Sequence, residues 1–298
     1  MDKIVQGIAA DGSIRVFGAI TTDAVAEAVR RHKTSPTVSA ALGRTMTGAL
    51  MMGVTLKELD RLTVKLEANG PVGGITAEAD AGGKVRGYVK NPLAELPPKS
   101  NGKFDVSGIV GGGMFYVIRE AGFDIGFRPE PYVGSVPIIS GEIAEDFAYY
   151  LARSEQIPSA VLLGVLLNNS EPFVAASGGV MVQMMPGANE HLITMIEDTI
   201  AHAPHLTSVI DADTDPSDLL RLALGNIEFQ ILDEKEVSFE CTCSIERALA
   251  MVEALGAEEV ESMLREQGGA VMNCGFCNEV YTMTSSDLTE IIDAARGR

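Results

Sequence analysis

All four cysteines of this 298-residue chain lie in its last quarter, as two close pairs. Cys241 and Cys243 form a C-x-C motif, and Cys274 and Cys277 form a C-x-x-C motif. Each pair can hold an ion through two thiolates, so together they predict a tetrahedral site for one Zn²⁺ per chain. We expect Gly275 to provide the positive φ angle that a tight thiolate turn often needs.

The rest of the chain contains no cysteine, so a disulfide framework is not expected. Nothing at Met1 resembles a signal peptide, which favours a reducing cytoplasm. The longest apolar run, residues 157–167, is too short for the roughly 20 residues that span a bilayer. We therefore expect a soluble cytoplasmic protein without a membrane partner.

The cysteine site supports two interpretations. The first is a static zinc staple that holds a small domain together, which is the more common use of such a site. The second is a redox switch, because every ligand is oxidisable and a C-x-C pair can close into a strained, easily reduced disulfide ring. Zinc binding stabilises small model domains by about 10–16 kcal/mol, so oxidation could unfold the domain. The residues alone leave both interpretations open.

The chain resembles the heat shock protein 33 family of redox-regulated holdase chaperones. The resemblance depends mainly on Cys241-Thr242-Cys243-Ser244 and Cys274-Gly275-Phe276-Cys277. Weaker matches extend over the rest of the chain, in residues 14–16, 42–44, 70–75, 85–88, 140–146 and 183–186.

The resemblance implies an ATP-independent molecular chaperone that prevents aggregation of thermally unfolding or oxidatively damaged proteins. In such a protein the zinc-bound, reduced form is inactive. Oxidative stress activates it by forming disulfides, here Cys241–Cys243 and Cys274–Cys277, with release of zinc. The resemblance also implies a homodimer in the active state. Four cysteines allow three pairings, so the local pairing is taken from the resemblance.

Hydrophobic patterning predicts an α+β fold with three parts. Residues 1–186 are expected to form a large domain of antiparallel sheet with packed helices. It would contain a hairpin around Asp11-Gly12, a helix opened by Pro36 and a meander over residues 62–89. An interrupted strand is expected over residues 123–139, and the glycines of residues 108–113 are expected to form a flexible or bulged strand entry.

The other two parts are smaller. Residues 187–226 are expected to form a helical, metastable linker with apolar faces. These faces either pack permanently on the larger domain, as amphipathic helices usually do, or conditionally, as the resemblance implies. Residues 227–298 are expected to form the zinc domain, which is too small to be stable without its metal.

The formal net charge of −18 disfavours a zinc module that grips nucleic acid, because such a surface repels phosphate. A thiol-disulfide oxidoreductase is the other rival, but its C-x-x-C pair normally opens a helix within a βαβ unit. None of the four histidines lies in a catalytic motif, and four thiolates leave zinc no open position. We therefore expect no catalytic residue and no enzyme activity.

Overall fold

The structure is a computed structural model that describes residues 1–57, 59–122, 130–171, 173–211 and 213–296. It divides the chain into two compact units, Met1–Glu240 and Cys241–Arg298. The predicted α+β class with antiparallel sheets is confirmed. Within the described ranges, no helix combines the length and the apolar character that crossing a membrane requires.

The larger unit contains two sheets. Its strands are β1 (Lys3–Ala9), β2 (Ile14–Ile20), β3 (Arg61–Ala68), β4 (Ile75–Asp80), β5 (Lys84–Val89), β6 (Gly113–Glu120), β7 (Tyr132–Pro137), β8 (Ser159–Leu167), β9 (Val174–Met184), β10 (Phe229–Glu236) and β11 (Ser238–Phe239). The first sheet has the order β10-β1-β2-β9-β8 and is antiparallel throughout. The second has the order β11-β5-β4-β3-β6-β7, in which only the β11–β5 pair is parallel among the described strands.

The helices of the larger unit pack on these sheets. They are α1 (Thr22–His32), α2 (Pro36–Gly53), α3 (Val106–Val110), α4 (Ala144–Arg153), α5 (Glu190–His202) and α6 (Pro216–Leu224), with short 3-10 turns at Ala10–Gly12 and Leu206–Ser208. Helix α2 contacts strands of both sheets and is buried on all its faces. Small side chains make this possible, and buried hydroxyls such as Thr45 and Thr47 donate to carbonyls one turn earlier.

Alternate residues of β2 contribute to two separate cores. Phe17 and Ala19 point toward α1 and α2, whereas Val16 and Ile20 point to the opposite face of the first sheet. Helices α5 and α6 cover that opposite face. A strand that is buried on both faces reads as a continuous apolar run, which is the pattern of residues 16–20.

Several local predictions are confirmed. The hairpin turns at Ala10–Gly12, Pro36 opens α2, and β3, β4 and β5 form the antiparallel meander. Other details differ. Residues 106–110 form a helical turn capped by the Asp105 carboxylate instead of a loose strand entry. A strand was expected over residues 123–139, and β7 forms part of it. Residues 123–129 lie outside the described ranges.

The boundary between the two units differs from the expected one. The hydrophobic pattern predicts a C-terminal domain that begins at residue 227, but the larger unit continues to Glu240 and the smaller one begins at Cys241. The reason is long-range pairing, because β10 lies antiparallel to β1 and β11 lies beside β5. Residues 187–226 also lie within the larger unit, where Leu219, Leu220 and Leu224 of α6 are buried.

Asp2, which precedes β1, connects α1 with the junction between β10 and β11. The Asp2 side chain accepts a hydrogen bond from the Ala24 amide in the first turn of α1, at 2.8 Å. Its main-chain carbonyl accepts one from the Val237 amide, at 3.0 Å. The other carboxylate oxygen, Oδ1, is buried without a hydrogen-bond partner in the described part of the chain. Asp2 therefore caps the first turn of α1 from a position that is distant in the sequence.

The smaller unit is built from helices and a hairpin. Its elements are α7 (Ile245–Glu253), α8 (Ala257–Gln267), β12 (Ala270–Asn273), β13 (Val280–Met283) and α9 (Ser285–Arg296). Strands β12 and β13 pair antiparallel, from Ala270 opposite Met283 to Asn273 opposite Val280. The buried apolar cluster is small and consists of Ala248, Val252, Val260, Ala270, Met283, Leu288 and Ile292.

Candidate metal centre

The C-x-C motif lies where the chain leaves the larger unit. Glu240 is anchored to β5, because its amide donates to the Val85 carbonyl at 3.2 Å and Lys84 contacts its carboxylate at 2.6 Å. Cys241 follows directly. Residue Thr242 between the two cysteines is held by Arg247, whose Nη1 donates to the Thr242 carbonyl at 2.8 Å and to its hydroxyl at 2.9 Å.

The C-x-x-C motif forms the turn between β12 and β13. The Cys274 amide donates to the Glu279 carbonyl, and the Asn278 amide donates to the Cys274 carbonyl, both at 2.8 Å. The positive φ angle lies at Asn278, at 60°, and not at Gly275 as the sequence analysis expected. Asparagine tolerates this left-handed conformation better than most residues with a side chain. The turn therefore places its strained residue just after the second cysteine.

The four sulfurs lie together. All of them are within 4.8 Å of one another. The sulfur of Cys241 is 3.7 Å from that of Cys274, and the sulfur of Cys243 is 3.3 Å from that of Cys277. Thiolates about 2.3 Å from a tetrahedral zinc ion would be about 3.8 Å apart. The spacing and the donor chemistry therefore fit a metal ion bound by four thiolates.

The electrostatic environment also favours a cation. Burial raises the pKa of the Cys277 thiol well above its ordinary value, and the neighbouring cysteines raise it further. Burial likewise raises the pKa of Cys243. Several adjacent thiolates repel one another, so the cluster resists losing its protons unless a positive charge compensates them. A bound cation supplies that charge, which is why metal binding at such a site releases protons.

Tyr281 is a residue at the site that sequence analysis missed. Its hydroxyl donates a hydrogen bond to the Cys243 sulfur over 3.1 Å. This bond raises the pKa of the Tyr281 phenol, because the phenolate would lose the bond and would lie beside sulfur atoms. Arg247 was missed as well. The sequence contains no local signal for the Tyr281 contact, since Tyr281 and Cys243 are 38 residues apart.

The surroundings of the C-x-x-C motif and of the histidines argue against the alternative functions. Cys274 and Cys277 lie in a hairpin turn, whereas an oxidoreductase pair usually opens a helix. His202 lies beside Asp198 on α5, and His205 contacts Lys103. Within the described residues, the group of potential metal ligands consists of the four cysteines alone.

Fold and site together define a two-unit α+β protein whose smaller unit carries a cluster of four cysteines that could hold a metal ion. Residues 2–284 match the protein-family model described as Hsp33 protein. The 33 kDa chaperonin of Desulforamulus reducens is 44% identical over 98% of this chain and 97% of its own. That of Listeria monocytogenes serotype 4b is 44% identical over 99% of each chain.

A solved structure agrees with these relatives. The crystal structure of the 33 kDa chaperonin (heat shock protein 33 homolog) from Thermotoga maritima matches with a TM-score of 0.90 and 34% identity. The match covers 100% of this chain and 99% of that one. The chain therefore belongs to the Hsp33 family.

Proposed function

We propose that the protein is an ATP-independent holdase chaperone that is inactive when reduced and zinc-bound and is activated by oxidation. One observation carries the proposal, namely that four cysteines from two distant motifs lie within 4.8 Å of one another in a small unit. Membership of the Hsp33 family supports it, because curated relatives are named 33 kDa chaperonins. The proposed clients are proteins that unfold through heat or oxidative damage.

In the reduced state Cys241, Cys243, Cys274 and Cys277 hold one zinc ion. When bound, zinc cross-links the two motifs and compensates the charge of the four thiolates. The apolar cluster of this unit is too small to stabilise it securely, so the sulfur–metal bonds supply much of its folding free energy. Their loss is therefore expected to unfold the smaller unit.

Oxidation by peroxide converts the thiolate ligands to disulfides in two steps. A thiolate sulfur attacks peroxide, which forms an S–O bond, breaks the O–O bond and releases hydroxide. A second thiolate attacks the resulting sulfenic acid, forms the S–S bond and expels the oxygen as hydroxide, which proton transfer converts to water. Two peroxides thus convert four thiols into two disulfides. Following the family resemblance, we propose the pairs Cys241–Cys243 and Cys274–Cys277, and zinc is released.

The client surface is proposed to lie under helices α5 and α6. Of the residues of α5, only Ile196 is buried in the structure as described, so this helix is held weakly. Helix α6 buries Leu219 and Leu220 against the first sheet. Undocking of both helices would expose the alternate apolar residues of β2 and β9 to an unfolding client.

We further propose that the active form is a homodimer and that the protein works in the reducing cytoplasm, where thiols persist until an oxidant appears. The charge of −18 keeps a client-loaded surface soluble through mutual repulsion. It also makes nucleic acid an unsuitable partner.

The experiment combines two readouts in one sample. A chromogenic chelator reports zinc release during peroxide treatment, while light scattering follows the aggregation of a thermally unfolding client. We expect zinc release and client protection to appear together, and a thiol reductant with added zinc to reverse both. Zinc that stays bound, or zinc that leaves without any protection, would show that the cysteines form a static staple. Catalytic turnover of a dithiol substrate would instead identify an oxidoreductase.

A further inference from the structure

Tyr281 connects the two cysteine motifs independently of any metal. It is the one tyrosine of the smaller unit in the sequence. It lies on β13, directly opposite Met272 of β12, in the hairpin whose turn carries Cys274 and Cys277. Its hydroxyl donates to the sulfur of Cys243, which belongs to the other motif, at 3.1 Å.

The position of the phenol is set by the fold of the smaller unit. The ring is half-buried and packs against the apolar cluster of that unit, so the hairpin determines where the hydroxyl points. Cys243, in contrast, lies in a short irregular segment between Glu240 and α7. The hydrogen bond from Tyr281 on β13 therefore fixes the position of the Cys243 sulfur, although Cys243 itself lies in no helix or strand.

We propose that Tyr281 is a positioning residue, which holds the Cys243 sulfur in the metal-binding arrangement and slows its reaction with peroxide. This inference rests on the proposed function of the cysteine site and adds a residue that controls its sensitivity. Partners that hydrogen-bond to metal ligands orient them and typically change metal affinity by about 10- to 100-fold.

The chemistry explains the effect on oxidation. Cys243 reacts by giving a sulfur lone pair to a peroxide oxygen, so that the S–O bond forms, the O–O bond breaks and hydroxide leaves. A hydroxyl donor aimed at the sulfur lowers the energy of that lone pair. The same bond favours the thiolate as a ligand and makes it a poorer nucleophile, so Tyr281 raises the oxidant dose at which zinc is released.

The test uses the full-length chain with Tyr281→Phe, which keeps the ring and removes the hydroxyl. Thr282→Val is the matched control, because it removes a hydroxyl from the next, exposed position of the same strand. Three quantities are measured for each variant. They are zinc affinity by chelator competition, the thiolate-to-cobalt charge-transfer absorption after Co²⁺ substitution, and the rate of zinc release by peroxide.

We expect Tyr281→Phe to weaken zinc binding by about 10- to 100-fold, to shift the charge-transfer absorption and to speed zinc release several-fold. Mass spectrometry after brief alkylation should find Cys243 modified faster than in the unchanged protein. Thr282→Val should leave all of these values unchanged. Equal zinc affinity, cobalt spectrum and release rate in Tyr281→Phe and the unchanged protein would refute the inference.

A second measurement remains informative if Tyr281→Phe does not fold. Replacing all tyrosines by 3-fluorotyrosine strengthens the hydroxyl as a donor while keeping the ring. We expect slower zinc release from this protein, and unchanged or faster release would contradict the inference. Failure of the proposed function can be distinguished from failure of this inference. In the former case the unchanged protein itself would bind no zinc or would protect no client after oxidation.

Discussion

Gly18 of β2 lies directly beneath the start of helix α6. A Cβ atom added at this position would overlap the main-chain carbonyl of Pro216 and would lie 3.3 Å from the Leu220 side chain. The obstacle is helix backbone, so a side-chain rotation cannot relieve it. Gly18→Ala should therefore push α6 away from the first sheet while leaving β2 itself intact.

The size of the effect follows from the packing. Inserting a methyl group into a well-packed contact costs about 1–3 kcal/mol. Because this cost applies only while α6 is docked, it raises the population of the undocked helix by about 5- to 150-fold. Alanine also restricts the unfolded chain, which offsets about 0.4–1 kcal/mol of the loss in global stability. The variant should thus loosen α6 more than it destabilises the whole unit.

Amide hydrogen exchange tests this directly. Peptides that cover Pro216–Leu224 should exchange faster in Gly18→Ala, while peptides of α2 keep their protection. If α6 covers the client surface, the reduced and zinc-bound variant should already suppress client aggregation. Gly112→Ala is the control, because a Cβ atom there meets only an ordinary contact with Asn69, at 3.5 Å.

Two results would refute the reasoning. Unchanged exchange in Pro216–Leu224 would show that α6 does not rest closely on Gly18. Faster exchange at α6 without any protection of the client by the reduced protein would show that the face beneath α6 is not the client surface.

Three further predictions concern other parts of the chain. Cys241→Ser with Cys274→Ser should abolish stoichiometric zinc binding and peroxide-dependent protection, and retained peroxide-dependent protection would contradict the switch. Removal of the metal by a strong chelator under reducing conditions should unfold α7, α8 and α9 but not α2. Circular dichroism and hydrogen exchange measure this loss of helix, and a smaller unit that keeps its helices without metal would contradict the prediction. Burial raises the pKa of Asp2 to about 6 from 3.8, so folding favours its neutral form. The stability that this preference contributes is present below about pH 4 and is lost as pH rises through 6, a loss of up to about 3 kcal/mol by pH 7. Asp2→Asn should remove this part of the pH dependence of the free energy of unfolding, measured with denaturant. A pH profile identical to that of the unchanged protein would show that Asp2 does not contribute.

Much of the candidate metal centre could be predicted from sequence, because each pair of cysteines consists of residues that are close along the chain. Two cysteines one or two residues apart can bind one ion whatever the surrounding fold. Hydrophobic periodicity similarly indicated the hairpin at Ala10–Gly12, the meander and the apolar face of α6. These features depend on residues that are neighbours along the chain.

Contacts between distant segments could not be predicted in this way. The charged strand β10 joins the first sheet only because β1, more than two hundred residues earlier, is its partner. That pairing moved the boundary between the units from residue 227 to Cys241. The capping of α1 by Asp2 and the bond from Tyr281 to Cys243 have the same origin.

The sequence by itself thus determined the four candidate metal ligands, the α+β class and the amphipathic character of residues 187–226. Only the tertiary structure decided which residues surround the sulfurs, which face α6 covers and where one unit ends. The physical reason is that local spacing specifies periodicity and ligand geometry, whereas long-range pairing depends on the packing of the whole chain.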